Sequence, residues 1–338
     1  MISIKELKYI LKNNNPHFVE GLAKKARKTT IQYFGKTISL YAPLYLSNYC
    51  ENQCIYCGFQ TKTKLKRKKL SIREMNKEME IISKSGIRNI LLLTGESQKM
   101  APVGYILEAV NIAKNYFSSI SLEVYPLEVE EYQKQFQNGV DGVTIYQETY
   151  SREQYKKLHL SGNKTNYDFR YKTPERLAKS GIRMIGMGVL LGLSTISEDV
   201  YELFRHLEQM EKKYPGIEYS LSFPRLIPPI NGNFEYIAVS DLTLVKLICM
   251  ARILFPRVGI TLSTREKPHL RDHAILLGVT KISAASKTSV GGYAGVNEQN
   301  PQFEVQDNRS VREIISLIKQ KGYDPVFTDW RRIENSSG

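Results

Sequence analysis

Short apolar runs alternate with amphipathic helical segments along most of this 338-residue chain. A short apolar run bounded by turn residues is typical of a buried strand, and apolar residues at helical spacing predict a helix with one face on a core. The pattern predicts eight strands, at residues 39–45, 89–94, 119–125, 142–147, 184–191, 219–223, 259–263 and 281–284. It predicts helices at 72–84, 103–117, 129–138, 174–180, 198–213, 241–254 and 311–321.

Several of these helices carry recognisable end signals. Ser71 and Glu74 stand three residues apart in front of an apolar stripe, which is the pattern of a capping box at a helix start. Gly86, Gly139 and Gly181 follow predicted helices and precede the next strand, as glycines that end helices do. These signals support the assignment of strands and helices in strict alternation.

Eight strand–helix units predict an α/β fold, a (β/α)8 TIM-type barrel. Such a barrel typically needs about 250 residues, so the chain is long enough for one. A doubly wound open sheet is the alternative, but Gly186 and Gly188 lie within a predicted strand and do not form the glycine fingerprint of that fold. We predict a helical extension over residues 1–30 and a single barrel domain over residues 31–338.

Composition adds that the chain folds around a full core, since 42% of its residues are apolar and 24% are charged. No apolar run approaches the roughly 20 residues that span a bilayer. The first residues lack the apolar segment of a signal peptide. We therefore expect a cytoplasmic protein that does not contact a membrane.

The formal net charge of +14 raises the question of nucleic-acid binding. The basic residues are spread along the chain, apart from one dense run at residues 62–69 that contains no aromatic residue. A protein that binds nucleic acid through a zinc knuckle is therefore disfavoured. Two interpretations of the run stay open: a solvated face, or a docking patch for an acidic protein partner.

Polar residues follow nearly every predicted strand, and in a barrel these positions share the rim that holds catalytic groups. Three cysteines follow the first strand, with the spacing C-x3-C-x2-C. This spacing on a loop fits three irons of a 4Fe–4S cluster and leaves the fourth iron open. A structural zinc site would need a fourth ligand nearby, which the sequence lacks. The candidate rim residues are Cys50, Cys54, Cys57, Thr94, Gly95, Glu96, Glu123, Tyr125, Glu148, Arg225, Arg265 and Ser283.

The cysteine motif, with Tyr56 before its last cysteine, is the signature of the radical S-adenosylmethionine superfamily. Within it, residues 31–330 resemble the tyrosine lyases of thiamine thiazole biosynthesis. The matching segments are residues 42–50, 55–59, 93–96, 143–150, 220–226, 262–266, 283–288 and 291–293.

The resemblance implies two cofactors, a 4Fe–4S cluster on Cys50, Cys54 and Cys57, and S-adenosylmethionine beside it. It implies that Thr94, Gly95 and Glu96 receive the methionine amine and that Tyr56 lies beside the adenine. Glu148 is implied as a ribose contact and Arg170 as a contact of the methionine carboxylate. An ordinary salt bridge at the rim is the alternative for the charged members of this set.

The resemblance also implies the substrate, L-tyrosine, and its cleavage between Cα and Cβ. The products would be 2-iminoacetate and p-cresol, formed together with 5′-deoxyadenosine and methionine. Arg265 is the candidate clamp for the substrate carboxylate and Arg225 the alternative, and either could instead belong to a buried ion pair. Ser283 is a candidate at the substrate amine. Glu123 and Tyr125 would line the pocket beneath the cofactor.

Two protein partners are implied: a thiazole synthase, and an acidic flavodoxin or ferredoxin as electron donor. A related lyase acting on tryptophan is the alternative function. The tyrosine lyase of hydrogenase cofactor maturation carries further cysteines near its carboxyl end. No cysteine follows Cys249 here, so we expect the thiamine-type enzyme.

Overall fold

The computed structural model describes residues 3–227, 234–295 and 301–328. Within these residues, eight parallel strands pair in chain order and the eighth pairs with the first. The sheet therefore closes into a barrel, which confirms the predicted fold class. Its strands are β1 (Thr37–Ser47), β2 (Asn89–Thr94), β3 (Ser119–Glu123), β4 (Gly142–Glu148), β5 (Met184–Val189), β6 (Glu218–Ser222), β7 (Gly259–Leu262) and β8 (Lys281–Ser283).

Helices connect successive strands and pack their apolar sides into the same hydrophobic core. Among the described residues, no helix has both the length and the apolar character needed to cross a membrane. The helices are α1 (Leu7–Lys12), α2 (Pro16–Phe34), α3 (Ile72–Lys84), α4 (Val103–Ala113), α5 (Val129–Gln137), α6 (Arg152–Leu158), α7 (Tyr167–Tyr171), α8 (Thr173–Lys179), α9 (Ile196–Lys213), α10 (Asp241–Leu254), α11 (Pro268–Ala274) and α12 (Val311–Gln320).

The observed elements differ from the predicted ones mainly at their ends. Strand β1 is longer than predicted because it pairs with three strands: β8, β2 and a short ninth strand, β9 (Asp324–Val326). Strands β3 and β5 each end two residues earlier than predicted, at Glu123 and Val189. Helices α6, α7 and α11 have only five to seven residues, too few for a helical period to show in the sequence.

The start of α3 is formed as predicted. The Glu74 backbone N–H donates to Ser71 Oγ at 3.3 Å, and the Ser71 backbone N–H donates to Glu74 Oε2 at 2.8 Å. These two bonds satisfy donors that the first turn of a helix otherwise leaves unpaired. The capping box therefore fixes where the chain turns back from the barrel rim into its first outer helix.

A glycine in β5 makes room for a large side chain inside the barrel. Tyr146, Gly188 and Ser222 lie side by side on β4, β5 and β6. A Cβ added at Gly188 would lie 2.5 Å from a ring carbon of Tyr146 and 2.4 Å from the Ser222 carbonyl oxygen. A real Cβ does not tolerate such distances, so any larger residue here would displace the tyrosine ring from the barrel interior.

The amino-terminal helices α1 and α2 pack against α10. Lys246 of α10 donates to the Leu11 carbonyl at 3.0 Å and to Asn14 Oδ1 at 2.7 Å. Cys249, on the same helix, is buried in the core as predicted. Helix α2 continues to Phe34, and residues 1–2 and 329–338 lie outside the described residues. The division into 1–30 and 31–338 stays a prediction.

Candidate active site

The cysteine loop follows β1 at the carboxyl end of the barrel and is anchored by backbone pairing. Gln53 N–H donates to the Ser161 carbonyl at 3.0 Å, Leu160 N–H donates to the Gln53 carbonyl at 2.9 Å, and Ile55 N–H donates to the Leu158 carbonyl at 3.1 Å. The loop thus forms a short antiparallel pairing with the segment that follows α6. The sequence of residues 158–161 does not predict this pairing, because the paired segments lie about a hundred positions apart.

Arg67 is a second anchor of the loop. Its guanidinium donates to the carbonyl oxygens of Asn48 at 2.6 Å, Phe59 at 2.7 Å and Gln60 at 2.6 Å. Lys68, its neighbour, forms an ion pair with Glu74 at 2.9 Å. The basic run at 62–69 is therefore not a uniform solvated face, since part of it holds the cysteine loop closed.

The three thiols have the surroundings of iron–sulfur ligands. Cys54 is buried, while Cys50 and Cys57 are half-buried. Two donors point at Cys57 Sγ, the Phe59 backbone N–H at 3.4 Å and the Gln302 amide at 3.9 Å. N–H donors to sulfur are among the features that tune an iron–sulfur cluster.

The described residues offer no convergent site for a single metal ion made of three or more His, Cys, Asp or Glu side chains. A cluster bound through three separate irons does not need such convergence. The donor set at the cysteine loop therefore fits a cluster.

The segment after β2 lies directly against the cysteine loop. Gly95 N–H donates to the Ser47 carbonyl at 2.8 Å, and Glu51 N–H donates to the Glu96 carbonyl at 3.0 Å. Thr94 Oγ1 is buried and has no hydrogen-bond partner among the described residues. An unpaired buried hydroxyl is costly in a protein interior, so this oxygen is a ready contact for a polar ligand group.

Two carboxylates and two cations form a buried cluster beside this segment. Arg170 lies 2.9 Å from Glu96 and 3.4 Å from Glu148. Lys164 lies 2.7 Å from Glu148 and 3.8 Å from Glu96. Burial alone would raise the pKa of either carboxyl group, but the two cations hold both pKa values below the usual range. The structure thus brings Glu96, Glu148 and Arg170 together, and it adds a residue that the sequence analysis missed.

Glu148 is held in an unusual backbone conformation. Its φ of 70° is one that residues other than glycine seldom adopt. The pairing of β4 with β5 shifts register between Tyr146 and Glu148, so the strand bends at its last residue. Strain of this kind is concentrated at functional sites, where the surrounding structure enforces it. Here the bend turns the carboxylate towards Lys164.

No sequence pattern identifies Lys164 as a residue of the site. It lies in a short turn, and its backbone N–H donates to Asn52 Oδ1 at 3.0 Å. The Asn52 amide donates in turn to Glu96 Oε2 at 2.8 Å. The lysine is therefore tied to the cysteine loop and to the carboxylates together.

If S-adenosylmethionine binds beside this cluster, as the resemblance implies, replacing Lys164 by methionine should weaken its binding by about tenfold or more. The substitution leaves two buried carboxylates with one cation, and an uncompensated buried charge costs at least about 1–3 kcal/mol. Equilibrium dialysis of S-adenosylmethionine against the reconstituted protein measures the change. Lys157→Met is the matched control, because that lysine pairs with Glu153 on the surface. Equal affinities in the two variants would contradict a role for Lys164.

Tyr56 is fixed by His159, which lies 103 positions further along the sequence. The His159 Nδ1 atom lies 2.7 Å from the Tyr155 carbonyl, and its Nε2 atom lies 2.8 Å from the Tyr56 hydroxyl. A carbonyl accepts only, so Nδ1 carries the proton and Nε2 accepts from the phenol. Burial lowers the pKa of His159 to about 3, which keeps the ring neutral. The tyrosine side chain therefore has one defined orientation beside Cys57.

A cavity of about 150 Å³ opens from this region into the mouth of the barrel. Glu123, Arg265 and Ser283, from three separate strand ends, line it. Ser283 is buried, and its hydroxyl accepts from the Thr264 backbone N–H at 2.9 Å. Other lining residues are Tyr41, Tyr45, Tyr56, Cys57, Tyr146, Glu148, Lys164, Leu190, Leu226 and Phe303.

The two candidate arginines have different surroundings. Arg265 stacks on the Phe303 ring at 3.6 Å from its centroid, and its side-chain hydrogen bond to the Arg225 carbonyl is long, at 3.5 Å. Arg225 is engaged by Glu266, by Asp241 at 2.7 Å and by a backbone carbonyl. The structure brings Arg265 to the cavity and directs Arg225 away from it.

Tyr125 does not reach this cavity either. It lies beyond the end of β3, and its hydroxyl donates to the Ala101 carbonyl at 2.8 Å. Its ring lines a separate cavity of about 340 Å³ that it shares with Glu96, Lys164 and Arg170. Glu123 and Tyr125 were predicted to line one pocket, but the early end of the strand separates them.

Comparison of this chain with known proteins identifies the family to which it belongs. A model described as the Radical SAM superfamily matches residues 44–207, and one described as the Biotin and Thiamin Synthesis associated domain matches residues 222–324. The chain is 41% identical to the 2-iminoacetate synthase of Salmonella typhimurium (strain LT2) and 40% identical to that of Escherichia coli (strain K12), each over 93% of this chain and 83% of the relative. The chain belongs to the 2-iminoacetate synthase family.

The fold agrees with this membership. The crystal structure of HydG, described as a maturase of the FeFe-hydrogenase, matches 97% of this chain and 73% of its own with a TM-score of 0.92, at 34% identity. As a member of the 2-iminoacetate synthase family the chain is a radical S-adenosylmethionine enzyme of the lyase class. Its cofactors are a 4Fe–4S cluster and S-adenosylmethionine, as predicted.

The two matched regions divide the site between them. The cysteine loop and the buried charge cluster lie in the Radical SAM region, while Arg265 and Ser283 lie in the region matched by the second model. The barrel-mouth cavity therefore draws residues from both matched regions: Glu123 lies in the first, and Arg265 and Ser283 lie in the second.

Proposed function

We propose that this enzyme cleaves the Cα–Cβ bond of L-tyrosine and forms 2-iminoacetate and p-cresol, with 5′-deoxyadenosine and methionine. The observation that carries the proposal is the cavity at the barrel mouth, where Arg265 and Glu123 offer opposite charges beside Tyr56 and Cys57. An amino acid substrate needs such a pair, because it carries both a carboxylate and an ammonium group. The 41% identity to a 2-iminoacetate synthase supports this choice of reaction.

The residues of the rim divide into two groups under this proposal. When bound, the reduced cluster and S-adenosylmethionine supply the radical that removes a hydrogen atom from the substrate. The side chains of the rim bind and orient the cluster and S-adenosylmethionine. The cysteines Cys50, Cys54 and Cys57 hold the cluster, and Tyr56, Thr94, Gly95, Glu96, Glu148 and Arg170, with Lys164, hold S-adenosylmethionine.

Arg265 orients the substrate. A guanidinium can bind a carboxylate with two parallel hydrogen bonds, which fixes both position and direction. The Phe303 ring covers one face of this guanidinium and leaves its edge for the ligand. With the carboxylate held at Arg265, the amine and the side chain of tyrosine would extend towards Ser283 and the cofactor side of the cavity.

The apolar part of the cavity lining helps to protect the product. 2-Iminoacetate is an imine and hydrolyses readily, so the reaction benefits from a site that keeps water away. Leu190 and Leu226 are buried side chains of the lining, and Phe303 adds an aromatic ring.

An anaerobic assay tests the function directly. The reconstituted protein is incubated with S-adenosylmethionine, dithionite and L-tyrosine, and p-cresol and 5′-deoxyadenosine are separated by chromatography. Both products should form in amounts that depend on tyrosine, and Cys54→Ala should abolish them. Deoxyadenosine without p-cresol would refute the tyrosine assignment, and the assay would then be repeated with tryptophan.

The electron donor is proposed to be a small acidic flavodoxin or ferredoxin. Lys62, Lys64 and Lys66 are exposed and follow the cysteine loop in the sequence. The start of this segment is attached to the loop, because the Thr61 N–H donates to the Asn52 carbonyl at 3.0 Å. Exposed cations at this place suit an acidic partner, since complementary charge speeds association.

The triple change Lys62→Gln, Lys64→Gln and Lys66→Gln should slow turnover with a flavodoxin or ferredoxin by about tenfold at low salt, and leave turnover with dithionite unchanged. It spares Arg67 and Lys68, which hold the loop. The matched control is Lys24→Gln, Lys25→Gln and Lys28→Gln on α2, with the same loss of exposed charge. Equal rates with the protein donor in both variants would remove the docking proposal.

A thiazole synthase is the proposed consumer of the imine, and the cytoplasm is the proposed compartment, because reducing conditions keep cluster ligands as thiols. Addition of a thiazole synthase to the assay should decrease the glyoxylate that hydrolysis of the imine releases. An unchanged amount of glyoxylate would argue against direct transfer of the imine.

A further inference from the structure

Glu123 has so far been assigned only a charge opposite to that of Arg265, without a chemical task in the reaction. It is the last residue of β3 and lines the barrel-mouth cavity together with Arg265 and Ser283. Among the described residues, no hydrogen bond or ion pair engages its carboxylate, whereas the carboxylates of Glu96 and Glu148 are both paired. A half-buried carboxylate that faces a cavity is available to a ligand.

The groups around Glu123 come from several elements of the barrel. The charges that act on it are those of Glu148, Arg265, Lys164 and Arg170. Its own charge acts on three cavity tyrosines, Tyr41, Tyr45 and Tyr146. Burial, with the nearby Glu148 carboxylate, raises the pKa of Glu123 to about 7, and Arg265, Lys164 and Arg170 limit the rise.

We propose that Glu123 is the proton acceptor for the substrate's α-ammonium group, a task that rests on the proposed cleavage of tyrosine. The substrate arrives as an ammonium, and a hydrogen atom leaves more readily from a neutral amine. Loss of a hydrogen atom from the ammonium would leave a cationic radical in a pocket that is already lined by two cations, Lys164 and Arg265.

The proton transfer is balanced within the pocket. The ammonium N–H bond breaks and leaves its electron pair on nitrogen, while a new O–H bond forms on the Glu123 carboxylate. The amine becomes neutral and Glu123 becomes a neutral carboxylic acid, so no charge is created in the enclosed site. No oxidant or reductant takes part in this step.

The other described groups of the cavity are poor acceptors. Glu148 is paired with Lys164, and the pKa of its carboxyl group is held low. Burial raises the pKa of the Tyr41 and Tyr146 phenols, which therefore keep their protons. Burial raises the pKa of the Tyr56 phenol as well, and its hydroxyl already donates to His159. Glu123 is therefore the carboxylate of the cavity that can accept a proton from the substrate ammonium.

The pH dependence of kcat/KM for p-cresol formation tests this proposal. In the wild-type holoenzyme the value should fall as the pH drops below about 7, because Glu123 must be deprotonated to accept the proton. Glu123→Gln should lower kcat/KM by about 100-fold at pH 7.5, in the range typical for loss of a general base, and should lack this acidic limb. Glu123→Asp should restore the limb and part of the rate.

Binding separates this task from a structural one. Glu123→Gln should weaken binding of tyrosine and leave binding of 3-(4-hydroxyphenyl)propanoate, which has no amine, unchanged. Glu130→Gln is the matched control, on the exposed side of the following helix. Retention of the wild-type acidic limb in Glu123→Gln would overturn the proposal. Absence of p-cresol in the wild type would instead refute the proposed function.

Discussion

Replacing Arg265 by lysine (Arg265→Lys) is expected to lower kcat/KM for tyrosine by at least about 30-fold. An interaction between a buried guanidinium and a carboxylate is worth about 2 kcal/mol or more when one partner is removed, and about 1.4 kcal/mol corresponds to a factor of ten. Lysine keeps the charge but cannot form two parallel hydrogen bonds or stack on Phe303. A misplaced substrate should also give 5′-deoxyadenosine without p-cresol. Steady-state kinetics with both products quantified measures these changes.

Arg225→Lys is the control for this experiment. Arg225 is held by Glu266, Asp241 and the Val239 carbonyl, so its replacement removes contacts between loops and touches no part of the cavity. We expect a lower melting temperature and an unchanged KM for tyrosine. A larger rise in KM for Arg225→Lys than for Arg265→Lys would reverse the roles assigned to the two arginines.

Gly95→Ala is expected to abolish most cluster loading and, with it, activity. A Cβ at this position would lie 2.3 Å from the Tyr49 carbonyl oxygen and 2.9 Å from its carbonyl carbon. The added methyl group would collide with the Tyr49 backbone, which cannot rotate away as a side chain could. Gly95 and Glu96 are also hydrogen-bonded to residues on either side of Tyr49. The cysteine loop would have to shift to make room. Iron and sulfide per chain after anaerobic reconstitution measure the loss.

Gly104→Ala separates this effect from the general cost of a methyl group. Gly104 lies in α4, and an added Cβ there meets no atom within 4 Å. Alanine favours a helix by up to about 1 kcal/mol over glycine, so this variant should load iron normally and melt at the same or a higher temperature. Normal iron content in Gly95→Ala would show that the loop adapts to the added methyl group.

The sequence by itself determined the barrel and the place of its chemistry. Hydrophobic periodicity is a local property, and eight repeated strand–helix units leave few folds that satisfy it. The capping box of Ser71 and Glu74 could be predicted for the same reason, since both bonds form within one helical turn. The cysteine spacing indicated an iron–sulfur cluster, because ligands within eight residues of one another need no knowledge of the fold.

The tertiary structure alone decided which polar residues meet. Lys164 and His159 come to the cysteine loop through pairing between segments about a hundred residues apart, and no local pattern marks either residue. Arg225 and Arg265 each follow a strand and cannot be ranked by sequence, because the carboxylates that engage one of them come from other loops. Burial, charge pairing and the direction of a side chain depend on neighbours that are remote in the chain, and these neighbours exist only once the barrel has closed.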